Sequence, residues 1–281
     1  MKLKLAGSNF SFPLLPFEGA LDVIVRLDLA AVDICMFEGH NHLNPSTELR
    51  QPARSGARLR RLLAQRGLTL ADLFLVAANS RETLAPNNPD PRDNARSREI
   101  FERSLDYLNA AGGSHLTQLP GVWFKRDNKA RSFDRASQEL AWRTKRAAGH
   151  GIVYSVEPHV GSIIETPADA ARLAKLTPGL TYSLDYTHFT KAGYADGEIE
   201  PLLRYASHFH VRGARKGRLQ TPFSQNQINY KRVLRAMRKH RYTGFQAIEY
   251  VWIEWEHCNE CDNLSEIIRF RDFLNVAAKE L

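Results

Sequence analysis

Short apolar runs alternate with longer amphipathic stretches along the whole chain. The apolar runs are rich in β-prone residues, as is typical of buried strands, and the stretches between them carry apolar residues at helical spacing. The apolar runs lie at 2–6, 31–37, 73–79, 115–119, 152–157, 180–185, 207–211 and 246–250. The clearest helical stretches are 97–111, 134–149, 166–175 and 264–280. The pattern predicts eight strands that alternate with helices.

The stretch "ETPADAARLAKL" carries the signals of a helix start. Thr166 is suited to the N-cap, because its hydroxyl can accept a backbone N–H bond, and Pro167 suits the first helical position. Farther along, residues 228–237 place four apolar residues on one helical face before Gly244 and the last strand. These local signals support the strand–helix alternation.

Eight strand–helix units over 281 residues match a (β/α)8 TIM barrel of the α/β class, with residues 1–281 forming a single domain. A doubly wound sheet is the alternative. The opening "LAGSNFSF" lacks the glycine fingerprint that brings a dinucleotide to a helix N-terminus, which disfavours that alternative. A barrel directs attention to the C-terminal ends of its strands, where active sites of this fold assemble.

The overall composition excludes several classes of protein. Hydrophobic content of 43% and charged content of 25% are those of a globular domain, and no segment approaches the roughly 18 consecutive apolar residues of a membrane span. The opening residues are not typical of a signal peptide, and three cysteines suit a reducing compartment. We therefore expect a cytoplasmic protein that has no membrane partner.

The net charge of +8 could attract anions, including nucleic acid. Much of it comes from amphipathic stretches such as 57–67 and 234–242, where arginines fill the positions between apolar residues. This pattern indicates solvated outer faces of helices, so nucleic acid is not the expected partner.

Four predicted strands, the fifth to the eighth, end in a residue that can bind a metal. These residues are Glu157, Asp185, His210 and Glu249. Closure of a barrel would bring them around one mouth, where three carboxylates would repel one another in a low dielectric. A divalent cation removes that repulsion, and carboxylates with one imidazole suit Mn²⁺, Mg²⁺, Co²⁺ or Zn²⁺. Each residue alone could instead form a barrel-end salt bridge or a helix cap, but the set predicts one metal ion.

The segments "SVEPH", "LDYTH", "HFHVRGAR" and "AIEYV" carry a family resemblance. The chain resembles the xylose isomerase-like TIM barrels, in the sugar isomerase/epimerase branch that includes tagatose and psicose 3-epimerases. The resemblance implies a metal site made of the same four strand-end residues, with Mn²⁺ as the first choice. It also implies substrate contacts from His188 and from an arginine after His210, for which Arg215 and Arg212 compete. Relatives usually carry a Pro-Gly-x-Gly turn where this chain has "TPFSQNQINY", without glycine.

The resemblance further implies the chemistry of a sugar isomerase or epimerase. Glu157 and Glu249 would be the acid/base pair, acting through a metal-stabilised cis-enediolate of a ketose or a sugar-derived keto compound. Elimination from the same intermediate would instead give a dehydratase or lyase that acts on a keto-polyol or keto-glycoside. A more remote alternative is an endonuclease IV-like DNA-repair enzyme, but His40, His42 and His115 do not complete its larger ligand set. A non-catalytic binding barrel would have no need of four aligned ligands.

Further candidates follow other strands. His40 and His42 follow the second strand, Trp123 the fourth and Trp252 the eighth, and all four could contact a sugar at the barrel mouth. His257, Cys258 and Cys261 suggest structural zinc, although one Cys-x-x-Cys without a second pair is a weak signal. We expect a small-molecule substrate, for which an unphosphorylated compound is favoured, and a homo-oligomer such as a dimer or tetramer.

Overall fold

In a computed structural model, which describes residues 2–281, eight parallel strands close into one barrel. Each strand pairs with the next in chain order, and the last pairs with the first. The strands are β1 (Leu5–Ser8), β2 (Ala31–Phe37), β3 (Thr69–Val76), β4 (His115–Gln118), β5 (Val153–Val156), β6 (Thr181–Asp185), β7 (Ala206–Val211) and β8 (Gln246–Ile248). The predicted single-domain (β/α)8 fold is confirmed, and the doubly wound alternative, whose sheet is open, is wrong.

Helices lie between consecutive strands and after the last one. They are α1 (Phe17–Arg26), α2 (Pro45–Glu48), α3 (Pro52–Ala64), α4 (Pro91–Ala111), α5 (Lys129–Gly149), α6 (Pro167–Leu176), α7 (Tyr186–Ala192), α8 (Asp196–Ile199), α9 (Tyr230–Lys239) and α10 (Asn263–Lys279). Within residues 2–281, none of these helices has the length and hydrophobicity that crossing a membrane requires.

Capping residues set where the helices begin. The Thr166 hydroxyl accepts the Asp169 N–H and Pro167 is the first residue of α6, as the sequence predicts. Helices α4 and α5 begin earlier than predicted, because Asp90 and Asn128 cap polar first turns. Those turns carry no apolar periodicity, so their local signals were the two caps and Pro91, the first residue of α4.

Strand β3 lies several residues earlier than predicted. It begins at Thr69 and ends at Val76, so residues 77–79 belong to the loop after it. The acidic Asp72 interrupts the apolar run, but its carboxylate is buried and lies 2.6 Å from Nδ1 of His115. A buried carboxylate with a histidine partner thus occupies a strand position that looks exposed in the sequence.

Polar side chains meet inside the barrel. Asp33 on β2 and His208 on β7 lie on strands that are not neighbours, so their contact of 2.7 Å crosses the barrel interior. Nearer the N-terminal ends, a layer of alanines fills the space: Ala6, Ala31, Ala71 and Ala247. The interior is therefore packed below the mouth, and the Asp33–His208 pair supports the residues above it.

Candidate metal centre and active site

The four strand-end residues converge as the sequence predicts. Glu157 directly follows β5, Asp185 ends β6, His210 is the penultimate residue of β7, and Glu249 directly follows β8. All four are at most 4% exposed. One donor atom from each lies within 4.8 Å of the others. Parallel strands of one barrel bring their C-terminal ends to the same mouth, and this explains the convergence.

The geometry of this four-residue cluster fits a divalent cation. Two ligands on opposite sides of a small cation, each bound at about 2.0–2.2 Å, are roughly 4 Å apart. Nδ1 of His210 lies 2.8 Å from Oε1 of Glu157 and 3.3 Å from Oε2 of Glu249, so one ring edge faces both glutamates. Three carboxylates with one imidazole match the ligand preference of Mn²⁺, Co²⁺ or Zn²⁺.

Burial raises the pKa of the two glutamates of the cluster. Burial raises the pKa of Glu249 to about 7; repulsion from Glu157 and Asp185 adds to this effect, while His210 and Arg212 oppose it. The pKa of Glu157 is also raised, again chiefly by burial. A cation placed between these groups would relieve both the desolvation and the repulsion.

Asp33 contacts the histidine of the cluster from the side away from the glutamates. Its Oδ2 lies 2.7 Å from Nε2 of His208 and 3.4 Å from Nε2 of His210. Burial alone would raise the pKa of Asp33, but the two histidines lower it to about 2, so its carboxylate is ionised. Burial lowers the pKa of His210, but Glu249, Asp33 and Glu157 raise it well above the usual value, so both ring nitrogens carry protons without metal. A bound cation would replace the proton on Nδ1, and the ionised Asp33 would hold the other proton on Nε2. The sequence analysis missed Asp33, although an acidic residue inside an apolar strand was a usable signal.

The peptide group of Val160 fixes the tautomers of two more histidines. Its N–H donates to Nδ1 of His188 at 3.2 Å, and its carbonyl accepts from Nδ1 of His159 at 2.7 Å. In the neutral rings, Nε2 of His188 is therefore a donor and Nε2 of His159 an acceptor. These atoms lie 3.7 Å and 3.9 Å from Oε2 of Glu157. His188 was predicted; His159 was missed, although it stands two residues after Glu157 in the same motif.

Arg212 is buried beside the cluster. Its guanidinium donates to Oδ2 of Asp185 at 2.8 Å and to Thr187 Oγ1 at 3.1 Å. The hydroxyl of Tyr230 bridges both backbone groups of Arg212, at 3.1 Å from its N and 2.6 Å from its O. Arg215, the competing candidate, is exposed on a turn and lies outside the cavity lining. Arg212 follows His210 by two residues and shares its side of the strand.

A cavity of about 480 Å³ opens above the cluster. Glu157 and Glu249 line it, whereas Asp185 and His210 are not among its lining residues and lie behind them. Most of the remaining wall is apolar: Phe10, Phe37, Phe74, Val76, Ala78, Leu119, Val251, Ile253 and Trp255. The cavity thus exposes the two glutamates to a ligand while the other two cluster residues stay covered.

Residues 21–271 match the family of xylose isomerase-like TIM barrels. The chain belongs to this family. A comparison with curated proteins found no match.

Several solved structures share the fold over nearly the whole chain. A D-psicose 3-epimerase crystallised in the presence of D-fructose has a TM-score of 0.79 at 14% identity, covering 98% of this chain and 99% of its own. The 3-keto-D-glucoside 4-epimerase of E. coli has a TM-score of 0.72 at 15% identity, covering 98% and 100%. A probable 3-DHS dehydratase from Bacillus anthracis has a TM-score of 0.71 at 14% identity, covering 97% and 99%. At such identities the likeness shows the fold alone.

The remaining candidates divide between the cavity and the surrounding loops. His40 lines the cavity at its exposed rim. His42 does not line it; its Nε2 lies 2.9 Å from the Leu15 carbonyl, so the ring braces a loop. Trp123 and Trp252 also lie outside the lining. Trp255 is the tryptophan that lines the cavity instead, and the irregular path after β8 that places it there is not encoded in hydrophobic periodicity.

The structure does not support the zinc hypothesis for the segment after β8. Within residues 2–281, His257, Cys258 and Cys261 do not come together as a metal-ligating group. Cys258 is buried, whereas the His257 ring is exposed and lies 3.1 Å from Glu260. Nor do two of the histidines considered for a larger, endonuclease-like ligand set reach the cluster, since His42 braces a loop and His115 pairs with Asp72.

Proposed function

We propose that this protein is a divalent-metal-dependent sugar isomerase or epimerase that acts on a ketose or a sugar-derived keto compound. The observation that carries the proposal is the arrangement of its two glutamates. Glu157 and Glu249 belong to one metal-ligating group, flank Nδ1 of His210, and are the members of that group that line the cavity. A substrate in the cavity would therefore meet two carboxylates beside the same cation.

The metal would be held by Glu157, Asp185, His210 and Glu249. Mn²⁺ is our first choice, and Mg²⁺, Co²⁺ and Zn²⁺ also suit this donor set. When bound, it would polarise the substrate carbonyl and balance the negative charge that develops after proton removal.

The glutamates would move the proton. One would take it from the carbon next to the carbonyl, and the other would return a proton to the opposite face, which inverts that carbon. Burial raises the pKa of Glu249 to about 7 without metal. A bound cation would lower it again, so at neutral pH Glu249 would be the carboxylate that can accept a proton. Isomerisation would need only that the returned proton go to the neighbouring carbon.

Neighbouring residues would orient the substrate. His188 presents an N–H at Nε2 toward Glu157 and Asp185, so it can donate to a substrate oxygen in the same place. Arg212 lines the cavity and is held by Asp185 and Thr187, which gives it a fixed direction. The apolar wall would exclude water and strengthen these polar contacts.

Elimination is the second candidate, since the same proton removal followed by loss of a hydroxyl makes a dehydratase. One observation favours it: His159, a further titratable side chain that lines the cavity, has its Nε2 3.9 Å from Glu157. Nε2 of the neutral His159 ring is an acceptor, so it could hold the leaving hydroxyl by accepting its O–H. The glutamate that took the proton from carbon would give it to the departing oxygen, which leaves as water.

Metal analysis of the purified protein, followed by a solvent deuterium-exchange assay over ketoses and keto acids, tests the proposal. We expect one divalent ion per chain and deuterium at the carbon next to the carbonyl of turned-over substrate. Chelation should abolish exchange and the same metal should restore it. Products short of one water would establish the dehydratase, whereas a metal-loaded protein that exchanges no proton in any substrate would contradict both candidates.

A further inference from the structure

The cavity contains a guanidinium that has no carboxylate from the described residues in direct contact. Arg81 lies on the loop after β3 and lines the cavity. Its Nη1 donates to the Val160 carbonyl at 2.6 Å. Within residues 2–281 it forms no ion pair, whereas the other cavity arginine, Arg212, is paired with Asp185 at 2.8 Å. Nε and Nη2 of Arg81 are thus left to donate to a ligand.

A stack of rings holds Arg81 in place. Its Cζ lies 4.7 Å from the centroid of the Trp255 ring, and Trp255 stacks on His159 at 5.4 Å with an interplanar angle of 17°. His159 in turn lies 4.0 Å from His188, ring to ring. The stack connects the metal-ligating cluster to Arg81, which fixes the guanidinium plane and leaves its edge free.

The apolar part of the wall, as formed by residues 2–281, contains no charged side chain that could bind a ligand anion. Phe37 makes edge contacts with Phe10 at 4.9 Å and with Phe74 at 5.1 Å, so three rings form one apolar surface. His159 is neutral, because burial, His188 and Arg81 lower its pKa well below the usual value. Away from the cluster, Arg81 is therefore the cationic side chain that a ligand anion would meet within the described lining.

We propose that Arg81 binds a carboxylate of the substrate, so that the substrate is an acidic hydroxy ketone rather than a neutral sugar. This inference rests on the proposed function for the chemistry at the other end of the cavity. One guanidinium edge matches one carboxylate through two parallel hydrogen bonds. A phosphate dianion usually recruits more donors, and the basic side chains after β7 do not supply them. Lys216 is exposed, Arg218 pairs with Glu260, and neither lines the cavity.

A matched pair of ligands measures how much the carboxylate contributes to binding affinity. L-sorbose and 5-keto-D-gluconate share a hydroxymethyl ketone and three carbinol centres and differ only in the far group, hydroxymethyl or carboxylate. Calorimetric titration of the Mn²⁺-loaded protein gives the dissociation constant of each. Because a charge-assisted bidentate contact is among the stronger hydrogen bonds, we expect the acid to bind about 10- to 100-fold more tightly. Arg81→Met should abolish that preference and leave the affinity for L-sorbose within about threefold.

A control variant and a phosphate pair complete the test. Arg126 is exposed in the loop before α5, and Arg126→Met should keep the full preference for the acid. Equal affinities for the two ligands, no binding of 5-keto-D-gluconate below about 10 mM, or a preference that survives in Arg81→Met would overturn the proposal. The proposal would also be overturned if D-fructose 6-phosphate bound more tightly than D-fructose by a larger factor than 5-keto-D-gluconate binds more tightly than L-sorbose. The binding measurement needs no turnover, so it is independent of the deuterium-exchange assay. A negative result in one of the two experiments would not change the conclusion drawn from the other.

Discussion

The two halves of the barrel mouth are built from different chemistry. Strands β5 to β8 deliver the four-residue cluster, whereas β1 to β4 deliver an apolar wall at the same level. The wall residues at those strand ends are Phe10, Phe37, Phe74, Val76 and Leu119. The halves meet where the Phe74 ring stacks on His210 at 6.1 Å with an interplanar angle of 26°. One continuous sheet thus carries an acidic half and an apolar half.

This division explains the raised pKa values of the two glutamates in the acidic half. Carboxylates beside an apolar wall cannot be solvated fully, so their charged forms are costly and a cation or a proton is favoured. The pKa of Glu249 near 7 is the clearest sign of this effect. The apolar half therefore supplies the low dielectric around the four-residue cluster, because the wall side chains at its strand ends are apolar.

Replacing a glutamate of the acidic half should have the largest effect. We expect Glu157→Gln and Glu249→Gln each to lower turnover by about 10²- to 10⁴-fold, because an amide cannot accept the proton. Weaker metal binding would add to the loss. Initial rates at saturating metal measure it, and circular dichroism checks the fold. Glu48→Gln, which changes a buried glutamate paired with Arg58 outside the cavity, is the control and should keep activity. Full activity in either cluster variant would place the proton transfer elsewhere.

Removing the support behind His210 should have a smaller effect. Asp33→Ala frees the His210 ring to change tautomer, so we expect metal affinity to fall about 10- to 100-fold. Asp72→Asn is the matched control, since that buried carboxylate pairs with His115 and not with the cluster. Competition with a chelator of known affinity measures both. Equal losses in the two variants would mean that the effect comes from general destabilisation.

Stability without metal should depend on pH through Glu249. Its pKa is about 7 in the folded protein and 4.5 for an exposed glutamate, so between these values the folded chain keeps a proton that the unfolded chain releases. This contribution to stability is present below pH 4.5 and is lost as pH rises through 7. With chelator present, Glu249→Gln should therefore have a free energy of unfolding close to wild type at pH 5 and higher by on the order of 2 kcal/mol at pH 8. Urea titrations measure this, and a variant that is less stable than wild type at pH 8 would contradict the account.

A change in the apolar half should have the smallest effect. Phe37→Leu keeps the wall apolar, so we expect metal affinity to stay within about twofold and stability to fall by about 1 kcal/mol. Substrate KM should rise by less than tenfold, because some contact area is lost. The same chelator competition and steady-state rates measure this. A large fall in metal affinity would show that the two halves are not separable.

The acidic half could be predicted from sequence, and the apolar half could not. A glutamate at the end of an apolar strand needs an explanation, because burying its charge is costly. A phenylalanine such as Phe74 in the same position looks like ordinary core, and Arg81, in a polar loop, looks like a surface residue. The choice between Arg212 and Arg215 could have been made from strand alternation, since Arg212 lies two residues after His210. That Trp255, and not Trp123 or Trp252, lines the cavity could not have been predicted, because it depends on the irregular path after β8.

The central claim is that one divalent ion binds between the two halves, on the four-residue cluster. Crystals grown with Mn²⁺ and measured at the manganese absorption edge test it most directly. We predict one strong anomalous peak per chain, within about 2.0–2.4 Å of oxygens of Glu157, Asp185 and Glu249 and of Nδ1 of His210. A peak elsewhere, or a fully occupied ion from which any of these four side chains points away, would contradict the assignment.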